Sequence, residues 1–268
     1  MFYESAYYDL IRKGERAPDL ARQLLDDPEA RLDLEWLRST VFCDLVDLAQ
    51  AHNGGAGTVV DVGAGLGYLV ESFEEAGWTA IGLEPAIEIA EVCRRRGLNV
   101  VTQTLGQFVE ETDTSVVDVL ILRLVLEHVR NPAELLETAR KGLRDGGLIV
   151  VEVPNDFNLL QVAAQDALDL DQWWVTAPDH INYFDFKSLE HLLEGVGFRV
   201  IHRSTSYPME LFLLMGDDYV SNPITGLDSH RRRRNFEMRV DPELRRSIYQ
   251  GLAAIGLGRT CLVAAEAA

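Results

Sequence analysis

The residues of this chain best suited to acid–base chemistry lie in APDHINYFDF, residues 177 to 186. His180 follows Asp179 and precedes Tyr183 by three residues, just past the Trp173, Trp174 pair. Imidazole titrates near neutrality, so His180 can act as a general base. It can equally be a packed ring, satisfied by Asp179 or a carbonyl, ahead of a helix that starts near Phe186. His128, preceded by Glu127 in the LEHV segment, carries the same two readings. A different chemistry is offered by DVGAGLG, Asp61 to Gly67. Gly63, Gly65 and Gly67, with Ala64 among them, let the backbone approach a ligand, and a helix expected over residues 67 to 77 presents free N–H groups to a carboxylate or phosphate. Glu84, 17 residues beyond Gly67, ends the next strand, where an acid accepts hydrogen bonds from both hydroxyls of a ribose. Loop and acid together describe a nucleoside site. Tyr68 stands where the dinucleotide fingerprint requires a small residue, which counts against a nicotinamide dinucleotide.

The elements that must position these groups are legible as short β-branched runs, each followed by a helical pattern. TVVDV (58 to 62), TAIGL (79 to 83), NVVT (99 to 102), VVDVLIL (116 to 122) and GLIVVEV (147 to 153) are strands, joined later by FRVIHRS (198 to 204) and RTCLVAAE (259 to 266). Near-continuous apolar strands alternating with helices imply an α/β fold: a doubly wound, mostly parallel seven-stranded sheet covered on both faces. HNGGAG (52 to 57) separates this region from a charged N-terminal part. There Asp27 and Pro28 form a helix start, and Leu34, Leu37, Val41, Leu45 and Leu48 recur at helical spacing. Four segments follow: residues 1–55 as N-terminal helices, 56–205 as the core, 206–257 as a helical cap before the last strand, and 258–268 as that strand.

Composition narrows the partners. With 268 residues and 47 % hydrophobic content the chain can build a substantial core. Its net charge of -18 repels polyanions and disfavours a nucleic-acid partner. Cys43, Cys93 and Cys261 lack the spacing of a zinc site or a disulfide framework, so no metal is expected and a reducing compartment fits. The run at 116 to 126 is interrupted by Asp118 and Arg123 and is too short to span a bilayer. Without a basic, apolar leader, a cytoplasmic protein with a small-molecule substrate is expected.

Taken together, VVDVGAGLGYL, GLEPA, DVLILRLVLEHV, LRDGGLIVVEVPN and HINYFDFKSLEHLLEGVGF resemble the class I S-adenosylmethionine-dependent methyltransferases over about residues 58 to 204. The resemblance is to the branch containing ubiquinone-type O-methyltransferases and sugar C-methyltransferases, and it implies a Rossmann-like methyltransferase fold. It further implies that S-adenosylmethionine is the cofactor and S-adenosylhomocysteine the product. Asp61, Gly63, Ala64, Gly65 and Gly67 would hold the methionine end, Glu84 the ribose, and Pro85 and Ala86 would lie near the adenine. Arg123 and Leu124 would line the methionine side. The family's acid near the adenine amine, after the third strand, is replaced here by TLGQF, leaving Gln107 or a backbone group to substitute.

The catalytic candidates in that setting are His180, His128 and Tyr183, acting on a small acceptor by in-line displacement. A hydroxyl is favoured over carbon or an amine; a hydroxyl or an acidic carbon needs a general base, whereas an amine needs only its neutral form. A non-catalytic S-adenosylmethionine-binding or scaffold protein is the alternative. Trp173, Trp174, Tyr183 and Phe184 either shape an acceptor pocket or belong to the core. Tyr3, Tyr7 and Tyr8 either resemble the aromatic lid segments of related enzymes or simply pack in the first helix. Four successive arginines, Arg231 to Arg234, cannot share one helix face; most are expected in solvent, with one or two available to clamp an anionic acceptor. Oligomeric state stays open, a homodimer among the options.

Overall fold

The structure, a computed structural model, describes residues 27–113 and 116–268. Tyr3, Tyr7 and Tyr8 lie outside the described residues. Helix α1 (Pro28–Leu37) starts as its sequence dictates: the Asp27 side chain accepts hydrogen bonds from the Glu29 and Ala30 N–H groups, and Pro28 occupies the first turn. A π-helical turn, Arg38–Phe42, leads into α2 (Cys43–Asn53). That turn shifts the helical register. The buried face therefore runs through Ala30, Trp36, Phe42, Leu45 and Ala49, while Leu34, Leu37, Val41 and Leu48 are only half-buried.

Strands and helices then alternate. β1 (Thr58–Val62), α3 (Tyr68–Glu75), β2 (Thr79–Leu83), α4 (Ile87–Arg95), β3 (Val100–Val101), α5 (Leu105–Glu111) and β4 (Val119–Arg123) come first. They are followed by α6 (Pro132–Lys141), β5 (Leu148–Pro154), α7 (Leu159–Leu168), α8 (Phe186–Gly195) and β6 (Phe198–Ser204). The chain ends with α9 (Glu210–Leu214), α10 (Pro223–Arg239), α11 (Pro242–Ala254) and β7 (Thr260–Ala267). The seven strands are ordered β3-β2-β1-β4-β5-β7-β6. β1 pairs in parallel with β2 and β4, β2 pairs in parallel with β3, and β6 runs antiparallel to β7. Val59, Val60, Leu120, Ile121, Ile149 and Val151 are fully buried, as a sheet covered on both faces requires.

The chain divides into two compact units, residues up to Leu122 with Thr138–Ile149, and Arg123–Glu137 with Val150–Ala268. In the first, the Asp118 carboxylate accepts from the Arg144 guanidinium at 2.6 Å and from the Thr58 N–H at 2.8 Å, tying the start of β1 to the turn before β5. In the second, α10 carries the four arginines. Arg231 and Arg232 are exposed, and Arg233 and Arg234 are buried, a division that follows the rotation of successive helical residues. Arg233 Nε donates to Glu237 Oε1 at 3.2 Å, and the Tyr249 hydroxyl donates to the same oxygen. Arg232 pairs with Asp217 at 2.7 Å. No helix of the described residues is long and apolar enough to cross a membrane.

Candidate functional site

In the first unit the glycine loop leaves β1 and turns back against β2. Both Gly63 and Ala64 donate their N–H groups to the Leu83 carbonyl, at 2.8 and 3.1 Å. This close approach needs Gly82 on β2: a Cβ there would stand 2.8 Å from Ala64 Cβ and 2.9 Å from Val100 Cγ2. Gly67 closes the loop at φ 71° and caps α3 without a side chain, so the first N–H groups of that helix carry no side-chain cap. At Gly65, φ 52°, an added Cβ would meet nothing within 4 Å, so the loop borders open space at that position.

Glu84 holds this loop to the segment after β2. Its Oε2 accepts from the Gly65 N–H and its Oε1 from the Ala86 N–H, each at 2.9 Å. The side chain is buried, and burial raises its pKa above the ordinary carboxylate value, against the lowering effect of those two N–H bonds. A carboxylate oxygen has two lone-pair directions, so each oxygen can take one more donor such as a ribose hydroxyl. Asp61 is buried at the end of β1. Tyr68, the bulky residue of the motif, lies under the Arg96 guanidinium, 4.5 Å from ring centroid to Cζ. Gln107 is the N3 residue of a capping box on α5: its Oε1 accepts from the Thr104 N–H at 2.8 Å. With that oxygen engaged, Gln107 is better placed to donate through its amide nitrogen than to accept from an amine.

The second unit gathers the other predicted residues. Arg123, the last residue of β4, pairs with the buried Glu152 at 2.7 Å. Leu124 takes a positive φ of 56°, and its N–H donates to the Glu152 carbonyl. A single 3-10 turn, Leu126–His128, follows. Asn182 fixes this turn, its side-chain amide donating to the Leu126 and Val129 carbonyls at 3.1 and 2.6 Å, while Ile181 and Asn182 donate their N–H groups to the Glu127 carbonyl. The two histidines that the sequence offers separately are thereby brought together: the His128 and His180 rings meet edge to face with centroids 4.9 Å apart. His128 Nδ1 lies 2.9 Å from the Asp179 carbonyl oxygen, which can only accept, so this nitrogen carries the proton. Tyr183 sits 6.4 Å from His180, centroid to centroid, and Phe157 connects it to Trp174 through edge contacts. Trp174 and Phe184 are core residues; Trp173 and Tyr183 keep partial exposure.

The same unit carries buried acids, Glu127, Glu152 and Asp156. Glu127 is 1 % exposed, and its Oε2 has no hydrogen-bond partner among the described residues. Burial, reinforced by the charges of Glu152 and Asp156, pushes its pKa up to about 8. Asp156 is pushed up to about 7, again chiefly by burial. Burial, and then the neighbouring His128, lowers the pKa of His180. The available signal was acids placed inside otherwise apolar runs, LVLEHV and IVVEVPND, directly after two core strands.

A family model described as a methyltransferase domain matches residues 34–203, more than half of the chain. The chain belongs to the methyltransferase-domain family. Its class I S-adenosylmethionine-dependent type, signalled by the sequence resemblance, stands with that match. The ubiquinone biosynthesis O-methyltransferase of Hydrogenovibrio crunogenus is 28 % identical over 122 residues, 42 % of this chain and 51 % of that protein. The C-methyltransferase NovU of Streptomyces niveus is 29 % identical over 168 residues, 60 % of this chain and 38 % of that protein. The chain thus spans about half or less of the length of these curated relatives. Among solved structures, a SAM dependent methyltransferase from Archaeoglobus fulgidus superposes with a TM-score of 0.56 at 19 % identity, covering 85 % of this chain and 94 % of that one. That likeness is one of fold, and it matches the seven-stranded methyltransferase sheet.

Proposed function

We propose that the protein transfers a methyl group from S-adenosylmethionine to a small acceptor, with a hydroxyl as the favoured acceptor group. The observation that carries this reading is the Glu84 carboxylate, held by the Gly65 and Ala86 N–H groups at the open side of the glycine loop. The residues present suit the cofactor. Glu84 would take the ribose hydroxyls, and Asp61 with Gly63, Ala64, Gly65 and Gly67 would hold the methionine end. Pro85, Ala86 and Gln107 would serve the adenine, and Arg123 and Leu124 the methionine side. When bound, S-adenosylmethionine supplies an electrophilic methyl group and leaves as S-adenosylhomocysteine.

Methyl displacement depends mainly on alignment and exclusion of water. An acceptor hydroxyl must also lose its proton before its oxygen can form the new O–C bond, whereas a neutral amine need not. Two imidazoles and a tyrosine packed together favour the first case, so His180, His128 and Tyr183 are assigned to preparing the acceptor oxygen. The helices of residues 206–257 would cap the acceptor. The similarity to a ubiquinone O-methyltransferase is compatible with an oxygen acceptor, and that to a C-methyltransferase keeps an acidic carbon as the nearest second case. Incubation with S-adenosylmethionine carrying a labelled methyl group, across hydroxylated, amine and carbon-acid metabolites, tests the reading. It requires labelled product and S-adenosylhomocysteine in equal amounts, with hydroxylated acceptors turned over fastest. Turnover confined to amines would refute the hydroxyl assignment.

A further inference from the structure

We propose that Glu127, His128 and His180 form a binding site for one divalent transition-metal ion of the zinc type. One ligand atom from each residue lies within 4.8 Å of the other two, and His128 Nε2 stands 3.9 Å from Glu127 Oε1. Zinc bonds of about 2.0–2.2 Å in tetrahedral geometry set ligands roughly 3.3–3.6 Å apart, so a contraction of at most about 1.5 Å would close the set. Two histidines with one glutamate is a donor set of catalytic zinc, which leaves a fourth position for water or substrate.

Three further features point to a ligand. First, the His128 ring is oriented as a metal ligand's ring normally is: its Nδ1–H donates to the Asp179 carbonyl, which makes Nε2 the lone-pair nitrogen. Second, Glu127 Oε2 and His180 Nδ1 are buried without a hydrogen-bond partner among the described residues. A buried polar atom left in this state is destabilising unless something occupies it. Third, two more buried acids, Glu152 and Asp156, lie close enough to act electrostatically on Glu127, with Arg123 as the counter-charge. A dication would neutralise what one guanidinium does not. The cysteines that an ordinary sequence search for zinc relies on take no part, which is why their spacing gave no sign of it.

The ion's use, unlike its binding, rests on the methyl-transfer reading. An acceptor hydroxyl in the fourth position would release its proton to solvent near neutral pH, as zinc-bound water does when its pKa falls from 15.7 to about 7. The resulting oxyanion is the nucleophile that the reaction needs.

The full-length protein, stripped with a chelator and dialysed, is titrated with Co(II) and then Zn(II), followed by calorimetry and visible absorption. The result expected is one Co(II) per chain, with ligand-field bands that Zn(II) abolishes. Glu127→Gln, His128→Ala and His180→Ala should each weaken Co(II) binding by at least about 100-fold, the upper end of what loss of a supporting residue alone costs. His191→Ala, at an exposed position, should leave it unchanged. X-ray absorption of the zinc-loaded wild type, which needs no variant, should show two histidine nitrogens and oxygen in the first shell. Absence of Co(II) binding in folded protein overturns the proposal, as does binding that survives all three substitutions or a zinc shell without histidine. S-adenosylmethionine affinity is measured on the same samples. Metal binding without cofactor binding would uphold the site and refute methyl transfer, and the reverse would refute the site alone.

Discussion

The imidazoles of His128 and His180 lie 4.9 Å apart at an interplanar angle of 76°, although 51 residues separate them in the chain. Asn182 makes this meeting possible by pinning the loop that carries His180 to the turn that carries His128. A function confined to acceptor preparation leads to a specific outcome. His180→Ala should bind S-adenosylmethionine within about twofold of wild type and lose more than about 100-fold in turnover, the scale of a positioned acid–base or acceptor-activating group. Calorimetry paired with a steady-state assay decides this, and unchanged turnover would reduce His180 to a packed ring. Asn182→Ala should lower kcat through the same loop, with cofactor affinity preserved.

Cofactor binding should respond to pH through Glu84. Burial raises its pKa above 4.5, so its carboxylate begins to protonate above the ordinary range as pH falls. Protonation removes an acceptor for the ribose hydroxyls, so affinity for S-adenosylmethionine should decline with acidification. The same raised pKa makes this group's contribution to folding stability grow, not shrink, as pH falls through it, because the folded state then binds the proton more tightly than the unfolded chain. Affinity and stability should therefore part company for this residue. Calorimetry between pH 8 and the acid limit of folding checks this on wild type and Glu84→Gln; equal pH slopes in both would count against the role.

Gly82 tests the position of the loop from the strand behind it, through contact with Ala64. Valine there would drive carbon into Ala64 and Val100, whose atoms already lie within 3 Å of where a Cβ would be. Overpacking of this kind costs about 1–3 kcal/mol. Gly82→Val should lower thermal stability by that amount and weaken S-adenosylmethionine binding by more than tenfold, because the loop is displaced. Normal affinity in a destabilised variant would show that loop position does not matter.

The helices before β7 have a polar centre of their own. Glu237 Oε1 accepts from both Arg233 and the Tyr249 hydroxyl, and its carbonyl accepts from Arg245 at 3.1 Å, with all four residues buried. Removing the acid strands buried cations, so Glu237→Leu should cost about 3–5 kcal/mol. Tyr249→Phe removes one hydrogen bond to a charged group and should cost about 1.5–3 kcal/mol. Urea unfolding measures both, and a loss below 1 kcal/mol for Glu237→Leu would mean that the network is not a stabilising centre.

The strands and the glycine loop were legible because both rest on local chemistry: β-branched runs for the strands, and glycine where the backbone must turn tightly. Asp27 and Pro28 marked their helix start for the same reason. The buried face of the N-terminal helices was not legible, since the π turn at Arg38–Phe42 breaks the 3.6-residue spacing that Leu34, Leu37 and Val41 obey. Half of the arginine run was misplaced: Arg233 and Arg234 are buried, and Arg233 pairs there with Glu237, which sequence spacing alone does not identify as buried. His128 and His180 were each visible, but their contact depends on a loop held by Asn182. Glu127 and Asp156 were passed over because acids after core strands read as ordinary polar ends until their burial is known.

The proposed function stands on binding of S-adenosylmethionine by the glycine loop and Glu84. Isothermal titration of the purified full-length protein with S-adenosylmethionine and S-adenosylhomocysteine tests it most directly, with Glu84→Ala alongside. One site per chain is expected for each ligand, with a loss of at least tenfold in affinity in Glu84→Ala. No binding of either ligand to a wild-type protein shown to be folded would contradict it.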